Sequence, residues 1–345
     1  MSAVGGKKSV SILLTNYNHA QYLPESLGGI CSQMRPADQI IIVDDGSTDD
    51  SVDIIRSFAS REPNISLLIN QRNRGVQYSI GKALAAATTD FVVWAAADDK
   101  LLPNFLSENM RALEENPSSR ISFSRLATFA DGEEKMTPFD ETNNGLAFDF
   151  GETSQFLDEQ ALLDRLGQSY LWLSGNTAVV SLDALRQIGG FFSKLKWHSD
   201  WYSFYAIALR HGAVLIPQTL AAMRVLPTTY SSAGMKDQSE QLAVLAEIAN
   251  TLALPEFSDL RSKFRQRPCL FSVFGREMLT VLRKQPRDFD LFIQYLGWHL
   301  NHHGAIQCSH GAKTPAQHIK RVGGISMICA GQILSRLTPK SWREG

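Results

Sequence analysis

Two pairs of adjacent aspartates stand out, because each follows a run of apolar residues and like charges held side by side need a reason. The first is Asp44-Asp45 within IIIVDDGSTDD, Ile40 to Asp50, and the second is Asp98-Asp99 after the run from Phe91 to Ala97. Apolar runs of this length read as strands buried on both faces. Their carboxylates then sit at the carboxyl ends of strands, where open α/β sheets bind ligands. Neighbouring carboxylates repel and are costly to hold together without a cation. A divalent ion bound to phosphate oxygens supplies one, so the pattern points to metal-assisted phosphate chemistry. Gly46 allows a sharp turn, and Ser47 with Asp50 is expected to form a capping box opening a helix from Ser51 to Ser60. Asp45 is expected at the strand end, clear of the core.

These residues need a sheet to hold them. Strand patterns at Ser9 to Leu14, Ile40 to Val43, Ile65 to Ile69, Thr89 to Ala95 and Ile121 to Phe123 alternate with helical spacings, among them Leu23, Leu27 and Ile30, and a helix from Asn104 to Glu115. Strand-helix alternation implies right-handed crossovers and a largely parallel sheet. Ala130 to Gly151 is polar and punctuated, the composition of a surface excursion. A helix near Gln155 to Leu166, the segment SGNTAVVS, a helix through Leu185 that stops at Gly189-Gly190, an aromatic helix from Ser199 to Arg210 and a short strand at Ala213 to Ile216 follow. Beyond Tyr230 the spacing is helical throughout: Gln238 to Leu252, Asp259 to Phe264, Leu270 to Leu282 and Phe289 to Trp298. The expected organisation is an α/β domain over 1–230 and a helical carboxy-terminal region over 231–345.

The chain has 345 residues and a formal net charge of -1, so it lacks the electrostatic footprint of a nucleic-acid binder. Cys31, Cys269, Cys308 and Cys329 have neither metal-ligand spacing nor a disulfide framework, which favours reduced thiols and a cytoplasmic setting. No apolar run reaches the roughly 18 residues of a membrane helix. The last segment sets Lys320, Arg321, Arg336, Lys340 and Arg343 around an apolar stretch, a composition suited to peripheral contact with an anionic lipid surface at the inner face of the membrane.

Four stretches, in order and spacing, resemble the family-two glycosyltransferases of the GT-A fold: SILLTNYNHAQYLPESL, IIIVDDGSTDDSVDII, NRGVQYSIGKALAAATTDFVVWAAADDKLLPNFL, and IGGFF followed by HSDW. The resemblance covers about the first 230 residues. It implies inverting transfer of a sugar from a nucleotide-diphosphate donor, a UDP-sugar, to a glycan or lipid-linked acceptor in cell-surface polysaccharide synthesis, with manganese or magnesium. On that resemblance Thr15 and Tyr17 contact the nucleotide, the Tyr17 ring against the base, and Asp45 accepts a hydrogen bond from the base edge. Arg72 and Arg74 precede the third helix, within reach of base or diphosphate. Asp98 and Asp99 hold the metal and diphosphate, although the family's further aspartate is here Ala96. Asp200 matches the general base, with Ser199 where an acidic residue is usual, and burial beside tryptophans would raise its pKa as a base requires. Trp197 and Trp201 are candidates for an acceptor-sugar platform, one of them core; His198 is read as structural. Arg224 matches a phosphate-clamping position, Leu226 replaces the family's histidine, and His302-His303 reads as a helix end.

Other classes fit less well. No G-x-G-x-x-G follows the first strand, which argues against a dinucleotide-dependent oxidoreductase. A phosphoacceptor signalling domain explains VDDG and little else. A catalytically silent sugar-nucleotide-binding scaffold is the remaining alternative, favoured by Ala96 and Ser199.

Overall fold

The computed structural model describes residues 7–133, 135–139, 148–167, 175–227 and 229–308. The chain runs β1 (Val10–Asn16), α1 (Leu23–Cys31), β2 (Gln39–Asp44), α2 (Ser51–Ala59), β3 (Ile65–Ile69), α3 (Val76–Ala86), β4 (Phe91–Ala96), β5 (Lys100–Leu101), α4 (Phe105–Glu115), β6 (Ile121–Ala130), β7 (Thr137–Pro138), β8 (Gln155–Leu157) and α5 (Glu159–Leu166). A 3-10 turn at Gly175–Thr177 leads into β9 (Ala178–Ser181), α6 (Leu182–Gln187), a second 3-10 turn at Ser193–His198, α7 (Ser199–His211) and β10 (Ala213–Val225). The carboxy-terminal helices are α8 (Tyr230–Lys236), α9 (Gln238–Leu252), α10 (Ser258–Gln266), α11 (Gly275–Arg283) and α12 (Phe289–Cys308).

The sheet order is β3-β2-β1-β4-β9-β6-β10-β5, with β7 on β6 and β8 on β10. The β1–β2, β1–β4, β2–β3 and β6–β10 pairs are parallel, and β9 runs antiparallel between β4 and β6. Chain order reverses at β1: β2 and β3 lie to one side of it and β4 to the other. The register sets Thr15 opposite both Val43 and Ala96, so the carboxyl ends of three strands open on one crevice at this switch point.

Alternation along the strands divides the core. Ile12, Leu14, Ile40 and Ile42 face a cluster with Leu23, Leu27, Phe105 and Met110. Leu13, Ile41 and Val43 face the other way, into a cluster containing Tyr202, Phe204 and Ile207 of α7. Helix α7 is buried on nearly every side, as an apolar pattern all round requires, and the same cluster continues through Leu245, Ile248, Phe264, Phe271 and Tyr295 of the carboxy-terminal region. The helical region is thus packed onto the sheet through α7.

Several local expectations change. The capping box does not form: Ser47 Oγ donates to Asp44 instead, Asp50 makes no side-chain cap bond, and the Ser51 N–H goes to Asp49. Asp44, fully buried, also accepts from Asn16, so it is a turn anchor. Residues 155–157 form a strand, and α5 starts only after Asp158, whose carboxylate caps it. Strands β6 and β10 run on to Ala130 and Val225, because pairing with each other extends both. The stretch from Leu270 to Leu282 breaks at Gly275, with φ +50. Of the polar excursion, Thr137–Pro138 pairs with β6, and Phe148 and Phe150 are buried; residues 140–147 lie outside the described residues, as does the basic-apolar segment after 308. His302-His303 falls inside α12. Among the described residues no helix is long and apolar enough to cross a membrane, and Cys31 and Cys269 are free thiols.

Gly46 is held at φ +74, and a Cβ there would lie 2.6 Å from the Arg72 carbonyl carbon. Gly132 has nearly the same φ, +75, with open space around it. Gly132→Ala should therefore cost about 1 kcal/mol for conformation alone. Gly46→Ala, which adds a backbone clash, should cost at least about 2 kcal/mol. Urea denaturation of the two variants side by side measures the difference, and equal losses would mean that the close approach to Arg72 is not a constraint.

Candidate active site

A cavity of about 730 Å³ opens at the carboxyl ends of β1, β2 and β4. Thr15, Tyr17, Asp45, Asp98, Asp99 and Asp200, from widely separated parts of the chain, all line it. Each is delivered by a different local rule. Thr15 and Tyr17 end or follow β1, and Tyr17 keeps 41 % of its surface exposed at the rim. Asp45 follows β2 and is buried, contrary to its expected place clear of the core: Oδ1 accepts from Asn70 Nδ2 at 2.7 Å and from the Arg74 N–H at 3.0 Å. Among the described residues its second oxygen makes no hydrogen bond. The Arg74 guanidinium lies 3.7 Å over the Tyr78 ring, and neither it nor Arg72 lines the cavity.

The second carboxylate pair divides its labour. Asp98 makes no side-chain hydrogen bond or ion pair among the described residues, and its carboxylate is left for a ligand. Asp99 accepts from the Arg224 N–H at 2.9 Å and from Asn176 Nδ2 at 2.8 Å. Burial and the neighbouring Asp98 charge push Asp99 up to about 8. Among the described residues no three His, Cys, Asp or Glu side chains gather as a metal cluster, and Ala96 lines the cavity where a further carboxylate would stand. Two hard oxygen donors with room for phosphate and water still fit magnesium or manganese, ions that keep much of their shell from water and phosphate.

Arg224 was expected to clamp phosphate. Instead it is buried and engaged, with NH2 on Glu25, NH1 on Asp131 and Nε donating to the Asp98 carbonyl at 3.0 Å. Glu25 also pairs with Lys100 at 2.7 Å. The arginine braces the Asp98-Asp99 turn from behind through its own backbone and side chain.

Asp200 is the second residue of α7. Oδ1 accepts from the Trp201 N–H at 2.8 Å and Oδ2 from the Gly175 N–H at 3.1 Å. Burial raises its pKa to about 6, against the opposing pull of those N–H donors. Gly175 has no alternative: a Cβ would stand 2.7 Å from the Trp94 ring. Its neighbour Asn176 is the Asp99 partner. The sequence reading gave the segment SGNTAVVS no role, yet a Gly-Asn pair just ahead of a buried strand was the available signal.

The approach to Asp200 is strained. Lys196 has φ 45 and ψ -118, a conformation costing a non-glycine residue on the order of 1–3 kcal/mol. Gln77 Nε2 holds the Lys196 carbonyl at 2.8 Å, and Lys196 Nζ pairs with Glu240 of α9. Gln241 of α9 accepts from Trp197 Nε1 at 2.9 Å and contacts His198 Nε2 at 3.3 Å. His198 is buried edge-on against Phe274, and burial lowers its pKa to about 4, so it is a neutral structural residue as expected. Trp201 is core, 4.7 Å from the Phe274 ring, whereas Trp197 lines the cavity.

The model of Glycosyl transferase family 2 matches residues 11–189. An uncharacterized glycosyltransferase of Nostoc is 36% identical over 97 residues, 28% of this chain and 30% of that one. A putative teichuronic acid biosynthesis glycosyltransferase of Bacillus subtilis is 27% identical over 143 residues, 41% of this chain and 56% of its own length. The chain thus spans less than two thirds of these relatives. Among solved structures, S. aureus TarS 1-349 in complex with UDP-GlcNAc gives a TM-score of 0.59 at 17% identity, covering 85% of this chain and 81% of that one. The mannosyltransferase PcManGT from Pyrobaculum calidifontis, in complex with GDP-Man and Mn2+, gives 0.54 at 17% identity over 93% and 80%. The family match spans more than half of the chain and coincides with the crevice, its aspartate pairs and the parallel sheet that carries them: the protein belongs to glycosyl transferase family 2 and has the GT-A fold.

Proposed function

We propose that the chain transfers a sugar from a nucleotide-diphosphate donor, a UDP-sugar, to a hydroxyl of a glycan or lipid-linked acceptor, with inversion and with manganese or magnesium, in cell-surface polysaccharide synthesis. The observation that carries this reading is the single cavity shared by Asp45, Asp98, Asp99 and Asp200. Its neighbours in fold bind UDP-GlcNAc, or GDP-Man with Mn2+. Tyr17 and the free oxygen of Asp45 suit a flat base bearing an N–H. Asp98 and Asp99 would hold the metal, which when bound neutralises charge on the diphosphate. Asp200, with a pKa near 6 and hence deprotonated at neutral pH, takes the acceptor hydroxyl proton as that oxygen bonds to the anomeric carbon. The bond to the diphosphate breaks and its electron pair leaves with the phosphate oxygen.

The domain assignment stays part of this reading: 1–230 as the transferase domain and 231–345 as the acceptor-side region, with a cytoplasmic setting and the basic segment after 308 lying against the inner face of the membrane. The scaffold alternative rests on Ala96 and Ser199. Donor hydrolysis with metal separates the two, because a competent site leaks sugar to water without acceptor.

Asp45→Asn should weaken UDP binding by about 1.5 to 3 kcal/mol, the worth of a hydrogen bond to a charged group. The substitution keeps the side chain's size beside Asn70, and calorimetric titration with UDP is the check. Unchanged affinity removes Asp45 from the nucleotide site.

Replacing both Asp98 and Asp99 by alanine should abolish metal-stimulated donor turnover. The same double variant, assayed in chelator-treated buffer, would take the metal out of the mechanism if it turned over at the wild-type rate.

For Asp200 the expected signature is kinetic. Turnover should rise with pH through about 6, as the buried carboxyl loses its proton, and level off above. Asp200→Asn should lack that limb and fall by about 10²- to 10⁴-fold with donor affinity nearly unchanged. Lost donor binding with an intact saturated rate would make Asp200 a binding residue.

A further inference from the structure

Beyond Asp200 the cavity continues to a wall that the donor-side residues leave unexplained. It is made by Lys196 and Trp197 from the 3-10 turn and by Thr229, Tyr230 and Ser231 at the start of α8. Tyr230 is half exposed at the cavity mouth, an unusual place to leave a large aromatic ring. Its centroid is 5.9 Å from that of Trp197, the rings nearly perpendicular at 72°. Both are held in place from behind. The Trp197 indole N–H is fixed on Gln241, and Gly234 packs so close that a Cβ there would come within 2.2 Å of Trp197 Cζ3. Thr229 closes a capping box with Ser232, which sets the first turn of α8 and with it Tyr230.

The charge on this wall is as informative as the rings. Lys196 is neutralised by Glu240, and Arg224 by Glu25 and Asp131. No other Lys or Arg lines the cavity among the described residues. Asp200 adds a negative charge. Among the described residues a phosphate or carboxylate on the acceptor would meet no unpaired cation on this wall, whereas a neutral pyranose offers C–H groups to aromatic faces and hydroxyls to Thr229, Ser231 and Asp200.

We propose that Trp197 and Tyr230 form the acceptor subsite, and that the acceptor presents a neutral sugar ring to it and not an anionic polyol phosphate or uronate. This rests on the transferase reading above and names its acceptor class. Trp197 and Tyr230 are specificity-determining residues: they orient the ring so that one hydroxyl faces Asp200.

The test is saturation-transfer NMR on the full chain loaded with UDP and manganese, against two sets of probes. The neutral set is methyl glucoside, methyl galactoside and methyl N-acetylglucosaminide; the anionic set is glycerol 3-phosphate and galacturonic acid. At least one neutral glycoside should receive saturation through its ring protons, and the anionic probes should not. Tyr230→Phe should retain the signal, while Tyr230→Ala should weaken binding about five- to ten-fold, the worth of one aromatic contact, at unchanged UDP affinity. Gly234→Ala, which displaces the indole, should do the same. With UDP bound, silence from every neutral glycoside, equal binding of the anionic probes, or an unaffected Tyr230→Ala variant each overturns the subsite. Failure of UDP itself to bind would instead overturn the transferase reading.

Discussion

Gly175 and Asn176 tie the two halves of the cavity together. The backbone N–H of one holds Asp200, and the side-chain amide of the other holds Asp99. The bond to Asp200, ionised at neutral pH, is charge-assisted and strong for its length. Because the two donors are adjacent in the chain, helix α7 and the turn after β4 cannot shift independently. Antiparallel β9, inserted between β4 and β6, places this dipeptide at the floor of the crevice. The strand order β4-β9-β6 thereby brings Asp200 to the cavity that holds Asp98 and Asp99.

Buried charge is handled by layers of partners. Arg224, Glu25, Lys100 and Asp131 form a closed set behind the Asp98-Asp99 turn. Only Arg224 is buried, while the Glu25 and Asp131 side chains keep 46% and 62% of their surface, so solvent screens the pairs and they contribute less to stability than to holding one geometry. Its effect here is local: the arginine that might have faced phosphate is spent on holding the aspartates, and Asp98 alone keeps an uncommitted carboxylate. The two members of the pair are therefore not equivalent, although the sequence shows them as a repeat of one letter.

The carboxy-terminal helices are part of the same construction. Glu240 and Gln241 of α9 reach Lys196, Trp197 and His198, three consecutive residues ahead of Asp200, and the strained Lys196 backbone is held between Gln77 and α9. Strain persists only where the surroundings over-determine it, and here they come from both sides of the cavity. The hydrophobic cluster shared by the sheet, α7 and these helices gives the contact its rigidity.

What the sequence determined by itself is whatever depends on short-range pattern. Buried strands, their carboxylates, the glycine turn after Asp45 and the helical periodicity beyond Tyr230 are written in consecutive residues, and the family motifs lie on those strands. The helix from Gln238 to Leu252 and the strand from Ile65 to Ile69 were legible to the residue. Tertiary structure decided whatever depends on a distant partner. Strands β6 and β10 lengthen because each pairs with the other across some ninety residues. Ser47 abandons its cap because Asp44 and Asn16 compete for the same hydroxyl. Arg224 turns from ligand to brace because Glu25 and Asp131 arrive from elsewhere, and of two similar tryptophans Trp201, in the first turn of α7, is buried against Phe274 while Trp197, in the 3-10 turn before it, faces the cavity. Residue type sets what each side chain can do, and the packing of separate elements sets which of those possibilities is left open.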